Sequence, residues 1–423
     1  MAIMVYLNAD KRKLKLEFFI ARRVQSSTAY KNSVSAPIIK IAIAAIAIGI
    51  VVMLIAIATG VGLQNKIKDK ISAFNGHIAI QRFDRNNSIT TVDPIIATPD
   101  YLNKLSRTPG VVHVQAVATK GGIIRTATSF EGIIFKGVGT DFNKRAFQDF
   151  MVAGQLPELD GGKPSKEVII SDDIARKLEL EVGDKAPTYF MQGANRDPIP
   201  RGFVISGIYN SGLAEYDSRF IIGDLRHVQR INKWEDEIGR FEVFIEDFDA
   251  MDQIASDINS MTPPMVYASS IKMQYASIFE WLSLLDVNIY IIITVILIVG
   301  IINMITALLV LILERTHMVG VLRALGAQNW LVRKVFLINA MHLVVRGMLI
   351  GNAIGLGLIA IQYFFSPLRL DPDSYYVSVA PVHIEFWHVA ALNIGTFIVC
   401  TLSLILPTYL VSSISPVKAM RFQ

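Results

Sequence analysis

Along the chain, apolar residues gather into four long runs at 41–63, 287–313, 335–365 and 387–411. Each reaches the roughly 20 residues a helix needs to cross about 30 Å of hydrocarbon. Lipid offers no partner to a backbone N–H or C=O, so each run is predicted to be a membrane-spanning helix. A signal-peptide core is only about 7–15 residues long. The first run is longer and begins forty residues into the chain, so it is expected to stay as an anchor.

Between the first two runs the pattern changes. Short apolar or alternating stretches, "HIAIQRF", "VVHVQAVAT", "IIRTA", "GIIFKGV", "EVIIS" and "RFEVFIE", are bounded by Gly, Asp and Pro and predict strands. "SDDIARKLELEVGD" predicts a helix capped by Ser171 or Asp172 and closed by a turn at Gly183-Asp184. "DLRHVQRINKW" and "DAMDQIASDINSM" predict two more. At the joins, Leu63, Ile67, Ile71 and Phe74, then Ile271, Tyr275, Ile278, Leu282 and Leu285, recur at helical spacing. The first and second spans are therefore expected to continue beyond the bilayer as an amphipathic pair of stalks.

Charge orients this layout. The residues before the first run, the 314–334 segment and the tail after the fourth run hold 14 basic and 3 acidic residues, against 25 and 30 in 63–286. Basic residues stay on the cytoplasmic side, so both termini and 314–334 are expected inside and the large domain outside. The net charge of +5 thus reports membrane topology and not a nucleic-acid partner. The chain's single cysteine, Cys400, lies in the fourth run, so no disulfide is expected to hold the outer domain.

Candidate chemistry is sparse. The sequence has no GxxxxGK[ST] phosphate loop, no HExxH, no GxSxG and no zinc-spaced cysteines. No metal is expected, and "HIEFWH" (His383, Glu385, His388) is read as interfacial polarity at the start of the fourth span. Gly347, Gly351 and Gly355 repeat every fourth residue of the third run and predict a face for close helix packing. Arg346, in the same run, is expected to face the bundle interior, to pair with a partner or to snorkel. In 314–334, Met318, Val321, Leu322 and Leu325 predict one apolar face, opposite Thr316, Gly320 and Arg323, with Gly326 as the stop.

"ERTHMVGVLRALGAQNWLVRKVFL" closely resembles the cytoplasmic loop of FtsX-like permease domains in ABC systems of the MacB and LolC/LolE type. The "PTYLVSSISPVKAMRF" tail is similar to that family's ending through Pro407, Pro416 and Arg421, and "FFIARRV" to its N-terminal amphipathic helix. "EVIISDDIARKLELEVGDK", "IIFKGVGTDF" and "VISGIYNSGLAEYDSRFII" resemble LolC/LolE segments in the same order. The resemblance implies an α+β membrane protein with four transmembrane helices and a large mixed α/β periplasmic domain at 64–286. The flanking parts are an N-terminal segment 1–40, a coupling segment 314–334, a short loop 366–386 and a tail 412–423. It further implies an inner-membrane permease subunit that extracts lipoproteins with a second permease copy or homologue. Hydrolysis falls to a separate ABC ATPase, which holds the ATP and magnesium, and release is to a periplasmic lipoprotein carrier. The short "MQGANRDPIPRGF" departs from the carrier hook of LolC-type subunits, as do Arg346 and "ATGVGL" from the usual spans. ATPase coupling is expected of Glu314, Arg315, Val319, Gly320, Leu322, Arg323, Gly326 and Ala327. Met53, Ile57 and Asn303 are expected to line the substrate path. A MacB-like exporter of small molecules or peptides, and an FtsX-like activator of a cell-wall hydrolase, are the alternative readings.

Overall fold

A computed structural model describes residues 35–83, 93–192, 197–371, 375 and 377–409. The N-terminal "FFIARRV", residues 193–196 of "MQGANRDPIPRGF", and the tail with Pro416 and Arg421 lie outside them. Among the described residues, four helices are long and apolar enough to cross a membrane: Ser35–Asn75, Ala276–Glu314, Asn329–Phe365 and Phe386–Thr408. They are called here the first to fourth long helices.

Their bounds differ from the apolar runs, because apolarity marks where hydrocarbon lies and not where helical hydrogen bonding stops. The first helix continues to Asn75, with Ile67 and Ile71 fully buried. The approach to the second helix is broken: a single turn, Ile271–Gln274, ends at Tyr275 before the helix restarts at Ala276. The third helix begins at Asn329, inside the segment that charge assigns to the connection. Gly326 (φ +86°) has already ended the preceding helix there, so Trp330, Arg333 and Lys334 form first turns of the third.

The chain divides into two compact units. One holds Met1–Leu63, Ser283–Leu368 and Ala380–Gln423, and the other holds Gln64–Leu282 and Arg369–Val379. The first unit is the bundle. Its core is built from Ile50 and Leu54 of the first helix, Leu308 of the second, Phe336 and Val344 of the third, and Leu404 of the fourth.

The second unit, the head, is a mixed α/β domain. Its strands are β1 (Ile78–Arg82), β2 (Ile95–Ile96), β3 (Val111–Arg125), β4 (Phe130–Val138), β5 (Met151–Gly154) and β6 (Glu167–Ser171). They continue with β7 (Lys185–Phe190), β8 (Ile199–Tyr209), β9 (Phe220–Asp224), β10 (Glu237–Ile238), β11 (Arg240–Ile245) and β12 (Val266–Ser270). Ten of them form one sheet in the order β12-β1-β11-β3-β4-β9-β6-β8-β5, with β7 bridging β3 and β8. The pairs β4–β9 and β6–β8 are parallel and the other pairs antiparallel. "VVHVQAVAT" and "IIRTA" are one strand, β3, carried through Gly121-Gly122. Ser171 caps the helix Asp172–Leu178 by accepting from Ile174 N–H at 3.1 Å. That helix ends early, at Glu179 in the left-handed region (φ 54°).

The turn from the first helix into β1 runs through Gly76 (φ +68°), where a Cβ would stand 3.0 Å from Glu242 and from Val243 of β11. Glycine is required there on both counts. Next to it, His77 accepts the Ile245 N–H through Nδ1 at 3.3 Å, and burial pulls its pKa down to about 4. The unfolded chain takes up that proton near 6.5, so between about 6.5 and 4 the unfolded state binds more protons than the folded one. The contribution of His77 is therefore complete above 6.5 and is lost as pH falls towards 4. Thermal unfolding of the full chain in detergent is expected to show a midpoint that drops across this window. The drop should be shallower in His77→Asn, which keeps an acceptor but cannot titrate.

Candidate functional site

The second and third long helices are joined by a short helix, Thr316–Ala324. It separates from the second helix at Arg315, whose backbone (φ −97°, ψ 18°) leaves the helical region. It ends in a Schellman arrangement: Ala327 N–H donates to Leu322 O and Gly326 N–H to Arg323 O, both at 2.9 Å. Val319 and Gly320 are buried, and Met318, Leu322 and Ala327 pack against the bundle core. Arg323 is half-buried and donates to Asn329 Oδ1 at 2.5 Å, across to the first turn of the third helix. Glu314 ends the second helix in an exposed position, and Arg315 is half-buried in the break.

The expected apolar face is thereby split. Met318 and Leu322 point inward, while Val321 and Leu325 are exposed, Leu325 by 80%. Gly320, expected on the opposite side, is inside. Apolar residues surround most of this helix, so its periodicity left the inner side open, and packing on the bundle chose it.

The glycines of the third helix meet the first. A Cβ on Gly347 would stand 2.8 Å from Ile46 Cβ, on Gly351 2.7 Å from the Ala47 carbonyl, and on Gly355 2.9 Å from Leu54. The departures in "ATGVGL" have a similar cause. A Cβ on Gly60 would overlap Ile289 of the second helix at 2.4 Å, and one on Gly62 the Pro381 carbonyl at 2.6 Å. The Pro381–His383 backbone lies against the first helix there, with His383 N–H donating to Ala58 O at 2.9 Å.

Arg346 is exposed on the outer surface of the bundle and does not face its interior. Its neighbour Gly347 packs at the level of Ile43 and Ile46, about one to two turns beyond Lys40. Asn352 and Asn393 exchange two amide hydrogen bonds, at 2.6 and 3.0 Å, between the third and fourth helices. Sequence reasoning passed over this pair, although an amide in each of two apolar runs was the available signal. The "HIEFWH" residues form a helix start: Glu385 caps the fourth helix, and its N–H donates to His388 Nδ1 at 3.3 Å.

A cavity of about 380 Å³ opens between the first, second and fourth helices, lined by Gly49, Met53, Ile296, Gly300, Thr396 and Cys400 among others. Of the three residues expected on the substrate path, Met53 lines this cavity. Ile57 is buried elsewhere in the bundle core, and Asn303 is half-buried outside the lining.

Comparison with known families accounts for both units. The MacB-like periplasmic core domain family matches residues 41–261, and the FtsX-like permease C-terminal family matches residues 290–416. The chain belongs to the FtsX-like permeases with a MacB-like periplasmic core domain. Among relatives of this permease, LolE of Haemophilus influenzae, a lipoprotein-releasing system transmembrane protein, is 21% identical over 95% of this chain and 98% of its own. LolC of Neisseria meningitidis serogroup B is 21% identical over 86% of this chain and 88% of its own. The periplasmic region of MacB from Actinobacillus actinomycetemcomitans superimposes with a TM-score of 0.32 and 14% identity, covering 48% of this chain and 91% of that one.

The glycine contacts of the permease give a paired test. Gly351→Val forces atoms into the Ala47 backbone and is expected to destabilise the protein by about 1–3 kcal/mol. Gly357→Ala, on the same helix with nothing within 4 Å, should be neutral. Thermal unfolding in detergent, followed by loss of monodispersity, separates the two.

Proposed function

We propose that this permease is the membrane-spanning subunit of an ABC transporter that lifts lipoproteins out of the inner membrane. A separate ATPase supplies ATP and magnesium chemistry, and a second copy or a homologue completes the membrane part. The basic excess of the flanking segments supports cytoplasmic termini and a periplasmic head. The observation that carries the reading is the short helix Thr316–Ala324. On its inner side Val319 belongs to the bundle core and Leu322 packs against it, while its outer side offers Val321 and Leu325 to water. A partner seated on that outer side pushes on the helices themselves.

The acyl chains of the substrate are assigned to the cavity beside Met53. It is apolar, within the size range of ligand sites, and walled by glycines at Gly49 and Gly300. Closure of the ATPase pair presses the short helix, shifts the second helix against the first, and narrows this cavity. A chain held there is then expelled outward. The likeness to LolC and LolE along nearly the whole chain supports lipoproteins as the cargo.

Leu325→Asp is expected to abolish co-purification of the ATPase while leaving the thermal midpoint unchanged. Arg323→Glu, which breaks the link to Asn329, should retain the ATPase but lower lipoprotein release from proteoliposomes by about tenfold. Normal release in both variants would refute the coupling role. Co-purification of wild-type protein with an outer-membrane channel or a cell-wall hydrolase, in place of lipoprotein, would overturn the cargo.

A further inference from the structure

The first long helix does not end in solvent. Its last two residues, Phe74 and Asn75, are buried in the head. The Phe74 ring is stacked on Tyr216 at 4.4 Å and lies 5.2 Å from Phe147. The Phe74 carbonyl accepts a hydrogen bond from Lys136 Nζ. Lys136, on β4, also donates to both oxygens of Glu242 on β11, at 2.8 and 2.9 Å. Glu242 is held further by Gln115 of β3 at 2.8 Å and by Arg240 at 2.6 Å. Lys136 and Glu242 are 2% and 0% exposed, so this pair is out of reach of water, while Arg240 keeps 16% of its side chain open.

Lys136 and Arg240 share the single carboxylate of Glu242. The remaining positive charge is answered by the helix itself, whose C-terminal carbonyls carry roughly half a negative charge. The end of the first helix is thus a member of the buried charge balance, and withdrawing it strands a cation. Burial pulls the Lys136 ammonium down to about 8 in spite of Glu242. Burial pushes the Glu242 carboxyl up, but Lys136 and Arg240 outweigh that and hold it below the usual range.

Asn75 extends the cluster to the second long helix. Its Nδ2 donates to Tyr216 OH at 2.5 Å and to Ile71 O at 3.1 Å. Its Oδ1 accepts from Tyr275 OH at 3.2 Å and from Arg240 at 3.4 Å. Tyr275 is the residue at which the chain breaks just before the second helix. One amide therefore touches the end of the first helix, the start of the second and the sheet.

We propose that Asn75 and the Lys136–Glu242–Arg240 cluster form the joint through which displacement of the two long helices reaches the head, as positioning residues for release. This rests on the transport reading above. Because the joint is buried and charged, separating its parts is unfavourable. A shift of either helix end therefore turns the sheet and is not absorbed at the junction.

The test uses the full chain reconstituted with its ATPase, carrying spin labels at Lys66→Cys and Arg125→Cys in a Cys400→Ala background. Both labelled positions are exposed. Wild type should give one narrow distance. Asn75→Leu and the paired Lys136→Met/Glu242→Gln should broaden it. Both should also lower lipoprotein released per ATP by about tenfold with ATP turnover unchanged. Tyr275→Phe removes one hydroxyl and keeps the ring, so it folds and should show a smaller loss in both readouts. Narrow distances in all three variants, or broadened distances with wild-type release per ATP, would overturn the joint. If wild type releases no lipoprotein, the cargo assignment falls alone and the distance measurement decides this inference.

Discussion

In the bundle, glycines admit the neighbours of the first long helix at six places. Gly347, Gly351 and Gly355 bring the third helix against Ile46, Ala47 and Leu54. Gly49 and Gly60 admit Ile296 and Ile289 of the second, and Gly62 admits the Pro381 carbonyl ahead of the fourth. Lipid tails are as apolar as leucine, so water does not drive these helices together. At these glycine contacts the attraction is dispersion between surfaces that fit, and dispersion falls steeply with a gap of even an ångström. The first helix is therefore the post of the unit because small residues let its neighbours reach its backbone. A larger side chain at any of these places acts on the whole bundle.

The C-terminal end of that helix is held by different physics. The head has water outside and a core within, so burial of Phe74 is favourable without any exceptional fit. Orientation is then set by charge: Lys136 on the Phe74 carbonyl and Arg240 on Asn75 hold the helix end to β4 and β11. A buried pair of this kind adds little net stability, but breaking one side costs about 3–5 kcal/mol because the partner stays buried and unanswered. Such an arrangement makes the attachment stiff without making the domain unusually stable.

The sequence made the spans, the glycine register and most long strands readable, since each rests on local periodicity. β1, β4, β6 and β11 lie where alternation or short apolar runs put them, and the Asp224-capped helix Leu225–Asn232 follows "DLRHVQRINKW". β2, β5, β7, β8, β9, β10 and β12 were missed; β12 ("VYASS") and β7 ("KAPTYF") carry little apolar signal and owe their pairing to neighbouring strands. The joint was invisible for a stronger reason. Asn75, Gln115, Lys136, Arg240 and Glu242 are ordinary surface-type residues scattered over 168 positions, and only the register β11-β3-β4 gathers them. The Asn352–Asn393 pair was within reach, because an amide inside an apolar run needs a partner wherever it lies.

The meaning of an exposed apolar side chain differs between the two solvents. Along the long helices, Val295, Leu349 and Ile398 are open on the bundle surface, and hydrocarbon is the medium that meets them. They need no partner. Val321 and Leu325 are on a helix that sits between Glu314 and the Arg333–Lys334 pair, where the charge pattern puts the chain back in water. A lone exposed leucine is unremarkable on a soluble surface. Here the helix also buries Val319 and packs half-buried Leu322 on its other side, so it is apolar both towards the bundle and away from it. A connector that only had to return the chain to the membrane would need one such side. In the function proposed above, the second side is the one the partner ATPase would cover.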